Sequence, residues 1–190
     1  MLPGRFSAVL FLLGTAAGAA GSVVPPLPLD KLIASADVVF TGTVVRVESA
    51  WTGTRTGRAI VTRVTFRVER ALKGEPARDL SLEFLGGRVG DDALEIHGAP
   101  QFEVGQRTVI FARMRGPEVS PLAGFNQGRF RVNRDPATGR DSVTTYDGSA
   151  FASVAEIGPA RRDVSPRPVR TMTLDTFEQE IVRLQRGSRQ

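Results

Sequence analysis

The stretch 60-IVTRVTFRVERALKG-74 decides the architecture. Val64, Phe66 and Val68 alternate with Arg63, Thr65, Arg67 and Glu69. A period of two puts apolar side chains on one face of a strand and charges on the other. Gly74 closes the strand with a turn after Leu72 and Lys73. Upstream, residues 38–49 predict a first strand with imperfect alternation: Val38, Phe40 and Val44 suggest one face, Val45 and Val47 the other. Gly42 in its middle suggests a bulge or sharp bend. Residues 51–57, WTGTRTG, predict a flexible hairpin loop between the two strands.

Downstream, residues 79–84 alternate again, with Leu80, Leu82 and Phe84 inward. Gly86, Gly87 and Gly90 break that run, and 91–97 predict a short strand. Residues 107–114 are apolar on both faces at Val109, Ile110 and Phe111, as in a central strand. Residues 125–133 place Phe130 and Val132 inward and Arg129 and Arg131 outward. A turn at 135–139 then leads into a hairpin strand at 142–146.

The ends of the chain have a different character. Residues 1–21 read as a secretory signal: Arg5 precedes an apolar run, and small residues follow at 17–21. The run is shorter than the roughly 20 residues a bilayer span requires, so no stable span is expected in the mature form. Residues 22–31 form an extended Pro-rich linker, with Leu29, Leu32 and Ile33 starting a short helical turn. Residues 147–172, with Pro159, Pro166 and Pro168 among arginines, predict a surface-running or mobile linker. Residues 173–187 predict a helix with Thr173 as N-cap and Leu174, Phe177, Ile181 and Leu184 as an apolar stripe packed on the sheet. Asp175 and Glu178 lie near its positive end, Arg183 and Arg186 near its negative end.

Composition removes several chemistries. The chain has no cysteine, which excludes thiol catalysis, zinc-thiolate sites and disulfide scaffolding. His97 is the only histidine, and no G-x-S-x-G elbow accompanies it. Asp91, Asp92, Glu95 and His97 have ligand chemistry without helical or EF-loop spacing, and read as a solvated acidic turn. Asn133, Asp135 and Asp141 around Gly139 read as hairpin turn chemistry. The 86-GGRVG-90 run lacks the Lys-Ser/Thr of a phosphate loop. No catalytic residue, cofactor or metal ligand is therefore assigned. The net charge of +5 is carried almost wholly by arginine, since Lys31 and Lys73 are the only lysines.

Short strands at close spacing, glycine bends and one terminal helix predict a mainly β domain over 32–146, a small OB-like barrel followed by a C-terminal helix. Particular motifs extend this. 35-SADVVFTGTV-44 resembles the opening strand of netrin-like and tissue-inhibitor-of-metalloproteinase-like OB-fold domains. 65-TFRV-68 through Leu72-Lys73-Gly74 is similar to their second strand, and 105-GQRTVIF-111 to a later one. The runs 98-GAPQF-102 and 127-QGRFRV-132 resemble those of uncharacterised exported bacterial members. The resemblance implies a netrin-like barrel. The animal inhibitors place an N-terminal cysteine on a protease's zinc; this chain has none, so that mechanism does not transfer.

The expected function is an exported, non-catalytic binding or protein-interaction module in the periplasm, the envelope or outside the cell. Its expected partner is a protein or an anionic envelope component. The expected surface is Arg63, Arg67, Arg129 and Arg131, sharing a face if their strands are neighbours, with Trp51 beside them. Phe66 and Phe84 have core parity, so no exposed rings stack bases and nucleic acid is not the expected ligand. The alternative is protease inhibition through 51–57 or the N-terminal 23–29 segment; a metal-dependent hydrolase ranks last.

Overall fold

The computed structural model describes residues 25–54, 57–114, 119–159 and 171–187. The proposed signal at 1–21 and residues 160–170 of the Arg/Pro-rich linker lie outside the described residues. A short helix, α1 (Leu29–Ser35), precedes strands β1 (Val38–Thr54), β2 (Gly57–Lys73), β3 (Asp79–Leu85), β4 (Gly87–Val89) and β5 (Asp92–Leu94). Then come β6 (Arg107–Ala112), β7 (Arg129–Arg134), β8 (Asp141–Thr145) and a C-terminal helix, α2 (Leu174–Gly187). Six strands form one antiparallel sheet in the order β3-β2-β1-β6-β7-β8, while β4 and β5 pair separately. The mainly β class and the C-terminal helix are as the sequence implies. The ladder is open at both ends, with β3 and β8 unpaired to each other among the described residues.

The opening stretch is the inner half of a long hairpin. β1 and β2 pair from Val39↔Lys73 out to Thr54↔Gly57, so Trp51, Thr52 and Thr54 are strand rather than loop. Once Val64 and Phe66 anchor the register, β-favouring Trp and Thr continue it. At Gly53 an added Cβ would meet open space, so no close approach requires glycine there. Register shifts between Val39 and Phe40, Thr41 and Gly42, and Val44 and Arg46 bend this pair. The last explains the imperfect alternation in β1: Val45 is extra, so Val44 is fully buried while Val45 is 36% exposed. At Gly42 an added Cβ would stand 2.7 Å from the Arg67 carbonyl oxygen, a close approach that only glycine permits.

The sheet buries different faces at its two ends. Under β3-β2-β1, Phe40, Val44, Val64, Phe66, Leu80, Leu82 and Phe84 form one core, closed by Phe102 and Leu122. Under β6-β7-β8 the opposite face carries Phe111, Phe130 and Val143, covered by Leu32 and Ile33 of α1 and by Phe177 and Ile181 of α2. β1 and β6 serve both: Val39, Val109 and Phe111 point to the helices, Phe40, Ile110 and Ala112 to the other core.

α2 starts where the sequence places it, with the Thr173 hydroxyl accepting from the Thr176 amide at 3.3 Å. Its stripe docks on the sheet, Phe177 meeting Phe130 and Phe151 at centroid distances of 4.8 and 5.6 Å. The described parts of both expected linkers are packed. Phe151 and Ile157 are buried in the helix-side core, and bridges Ser142↔Thr173 and Thr144↔Ala150 cover the edge of β8. The Gln127 side chain accepts from the Leu27 amide at 2.6 Å and donates to the Pro25 carbonyl at 3.0 Å, tying down the start of α1. Aromatic and Ile side chains spaced too irregularly for a helix or strand can still fill a core, which periodicity does not register.

Candidate functional site

A cleft of about 740 Å³ opens where the β1-β2-β3 core meets the segment between β5 and β6. Its floor is Val64, Phe84 and Phe102, apolar side chains of that core. One wall is the hydroxyl pair Ser49 and Thr62, 3.0 Å apart on paired positions of β1 and β2. Thr62 also donates to the Gly86 carbonyl at 2.7 Å. Gly87 lies directly on these hydroxyls; a Cβ there would sit inside van der Waals reach of both oxygens. The Gly86-Gly87 pair that ends β3 thus lets the β4-β5 hairpin close against the long hairpin. Arg88, Glu95 and His97 stand around the opening.

The facing wall is a strap, residues 95–102, without regular structure. Side chains from around β7 hold it. Asn126 donates to the Gly98 carbonyl, and Arg129 donates to the Gln101 carbonyl. The Arg129 guanidinium also lies over the Phe102 ring at 4.5 Å and donates to Gln106 Oε1 at 3.2 Å. Asn126 lies within a 3-10 turn, Phe125–Gly128, and Arg129 follows it; the turn is entered through Gly124 and Phe125 in left-handed backbone. A volume in the range of small-molecule sites, an apolar floor and a few convergent polar groups suit the cleft to binding.

The expected arginine surface is not one patch. Arg63 and Arg67 are outward on β2, as their parity requires, but each is paired across to β3: Arg63 to Glu83 at 2.6 Å and Arg67 to Asp79 at 3.1 Å. Glu83 holds the Arg63 guanidinium above its ordinary pKa. Two strands, β1 and β6, separate them from β7. Arg131 is exposed there, whereas Arg129 is 4% exposed and faces the core opposite to the one Phe130 enters. The outward expectation for Arg129 is therefore corrected. At β7 both faces of the sheet are covered, so the position opposite an apolar residue does not reach water. Burial, followed by repulsion from Arg131, pushes Arg129 down to about 10, which leaves it charged at neutral pH. Trp51 is 39% exposed on the distal part of the hairpin, with the Arg58 guanidinium 4.9 Å over its ring.

No known protein family, characterised protein or solved structure matches this chain.

Among the described residues no group of three His, Cys, Asp or Glu side chains gathers at metal-binding distance. Asp91 and Asp92 are exposed at the β4-β5 turn. The Asp135 carboxylate accepts from the Ala137 amide at 2.8 Å and from the Thr138 hydroxyl at 2.8 Å, which lowers its pKa and holds the β7-β8 turn. No described helix is long and apolar enough to cross a membrane. Sequence reasoning missed the cleft. Its signals were the paired glycines at 86–87 and the 98-GAPQF-102 run, each legible only as a break or a motif until the strands are paired.

Proposed function

We propose that this chain is an exported, non-catalytic binding module on an OB-like, netrin-like scaffold, and that its ligand seats in the cleft beneath the 95–102 strap. The observation that carries this reading is the construction of the cleft: an apolar floor shared with the core, a hydroxyl wall, and a strap held in place by Asn126 and Arg129. Export rests on the 1–21 signal pattern, and the scaffold's kinship on the motifs at 35–44, 65–74 and 105–111. A protein or an anionic envelope component remains the expected source of the ligand.

A fragment library screened by amide chemical shifts tests the site. Binders should perturb Thr62, Gly86, Gly87 and Gly98. Ala93→Trp, which adds bulk from an exposed lining position, should abolish those shifts while leaving the melting temperature close to wild type. Shifts that cluster elsewhere, or that persist in A93W, would sink the reading.

A second reading, inhibition of a protease through the hairpin end, has the exposed Trp51 stacked with Arg58 in its favour. Inhibition of a protease panel, lost in Trp51→Ser and retained in A93W, would establish it instead.

A further inference from the structure

Two features of the cleft have no counterpart elsewhere among the described residues. The first is the charge behind its floor. Arg129 is 4% exposed, and its only described hydrogen bonds run to neutral acceptors, the Gln101 carbonyl and Gln106 Oε1. Its Nε has no hydrogen-bond partner among the described residues. The two charges that act on it, Glu103 and Arg131, have opposite signs. The second is the position of this charge. Gln101 and Phe102, which Arg129 touches, are lining residues of the cleft, so the guanidinium stands one side chain behind its wall. At the opening Arg88 and Glu95 oppose each other in sign. The charges of the lining side chains thus cancel, and the buried cation stands behind them, screened by protein rather than by salt.

We propose that the cleft selects a small carboxylate-bearing ligand with an apolar or aromatic body, the body resting on Phe102 and the half-buried Leu85, Leu94 and Ile96 and the carboxylate held by the potential of Arg129. This rests on the cleft being the binding site. The division of labour follows from the lining: Phe102 with the half-buried Leu85, Leu94 and Ile96 supplies contact area, the Ser49 and Thr62 wall supplies polar neighbours, and the buried guanidinium supplies the sign. Arg129 acts here through Phe102 and the Gln101 peptide, as a residue that positions the strap and sets the field.

The test compares phenylacetate with phenylacetamide, which share ring and shape and differ in charge, titrated into the labelled protein and followed at Gly86, Gly87 and Gly98. Phenylacetate should bind about tenfold more tightly, the size expected of one unit charge acting across several ångströms of protein. That preference should survive about 0.5 M salt, because a buried charge is weakly screened. Arg129→Met should equalise the two probes, and Arg129→Lys should keep part of the difference. Equal binding of acid and amide to the wild-type cleft overturns the proposal while the cleft stands as a site. A preference that vanishes with salt, or persists in R129M, assigns the selectivity to other charges and also overturns it. Absence of any shift at the three glycines removes the binding reading itself.

Discussion

Glu178 and Arg129 are buried to the same degree, 3% and 4% exposed, and they meet burial in opposite ways. Glu178 sits on the helix side of the sheet. Its carboxylate accepts from the Thr41 hydroxyl and from Arg70 at 2.8 Å, so both oxygens are satisfied, one by a full opposite charge. Arg129 sits in the opposite core, against a ring and two neutral acceptors, with Nε unpaired. A buried charge with its partner is a tie: it fixes where α2 lies along β1 and β2. A buried charge without one contributes little to stability and leaves a field in its surroundings. The difference separates the part of the molecule that holds its shape from the part placed to recognise something.

The largest effect that would break this contrast is on the tied side. Arg70→Ala leaves the Glu178 carboxylate buried against a single hydroxyl. The expected loss is about 3 kcal/mol, the low end for a broken buried pair, because 59% of the Arg70 side chain is already in water and solvent can follow it in. Urea unfolding measures it. A loss below about 0.5 kcal/mol would mean that Glu178 is no tie and that the apolar stripe alone seats the helix.

On the untied side the expected effect is smaller and can take either sign. Arg129→Met keeps the length and the contact with Phe102, removes the desolvation cost and the unpaired Nε, and forfeits the bonds to Gln101 and Gln106. These changes offset, so stability should move by about 1 kcal/mol or less. A loss as large as that of R70A would place Arg129 among the structural ties and erase the distinction.

How far the sequence shows this contrast depends on how local each signal is. β2 and β3 were legible because Val64, Phe66, Leu80 and Leu82 keep a strict period over a half whose other face is in water. The cap and stripe of α2 were legible for the same reason, since Thr173, Leu174, Phe177 and Ile181 lie within three turns. Glu178 read as a dipole partner because its real partners, Thr41 and Arg70, are 137 and 108 residues away. Arg129 read as outward because parity says only that it opposes Phe130. Whether the opposing face is solvent or a second core is decided by Phe102 and the strap, 27 residues upstream and without periodicity. The cleft shares that dependence: its lining comes from four stretches of chain, and the one that closes it, 95–102, carries no periodic pattern.

The smallest effect sharpens the contrast by showing what an exposed charge does when it has partners but no burial. Asp135 and Asp147 sit at turns on either side of β8. Each carboxylate is pulled below its usual pKa by hydrogen bonds, to Thr138 and Ala137 in one case and chiefly to the Thr145 hydroxyl in the other. A lowered folded-state pKa means that the unfolded chain binds the proton first. The stability these turns contribute is therefore present above the unfolded carboxylate value, near 3.9, and is lost as pH falls through the lower folded value. Asp147→Asn should lower the melting temperature slightly at pH 7 and by less at a pH below the folded carboxylate value, where the wild-type carboxylate is protonated as well. An equal deficit at both pH values would show that the aspartate acts through turn geometry alone.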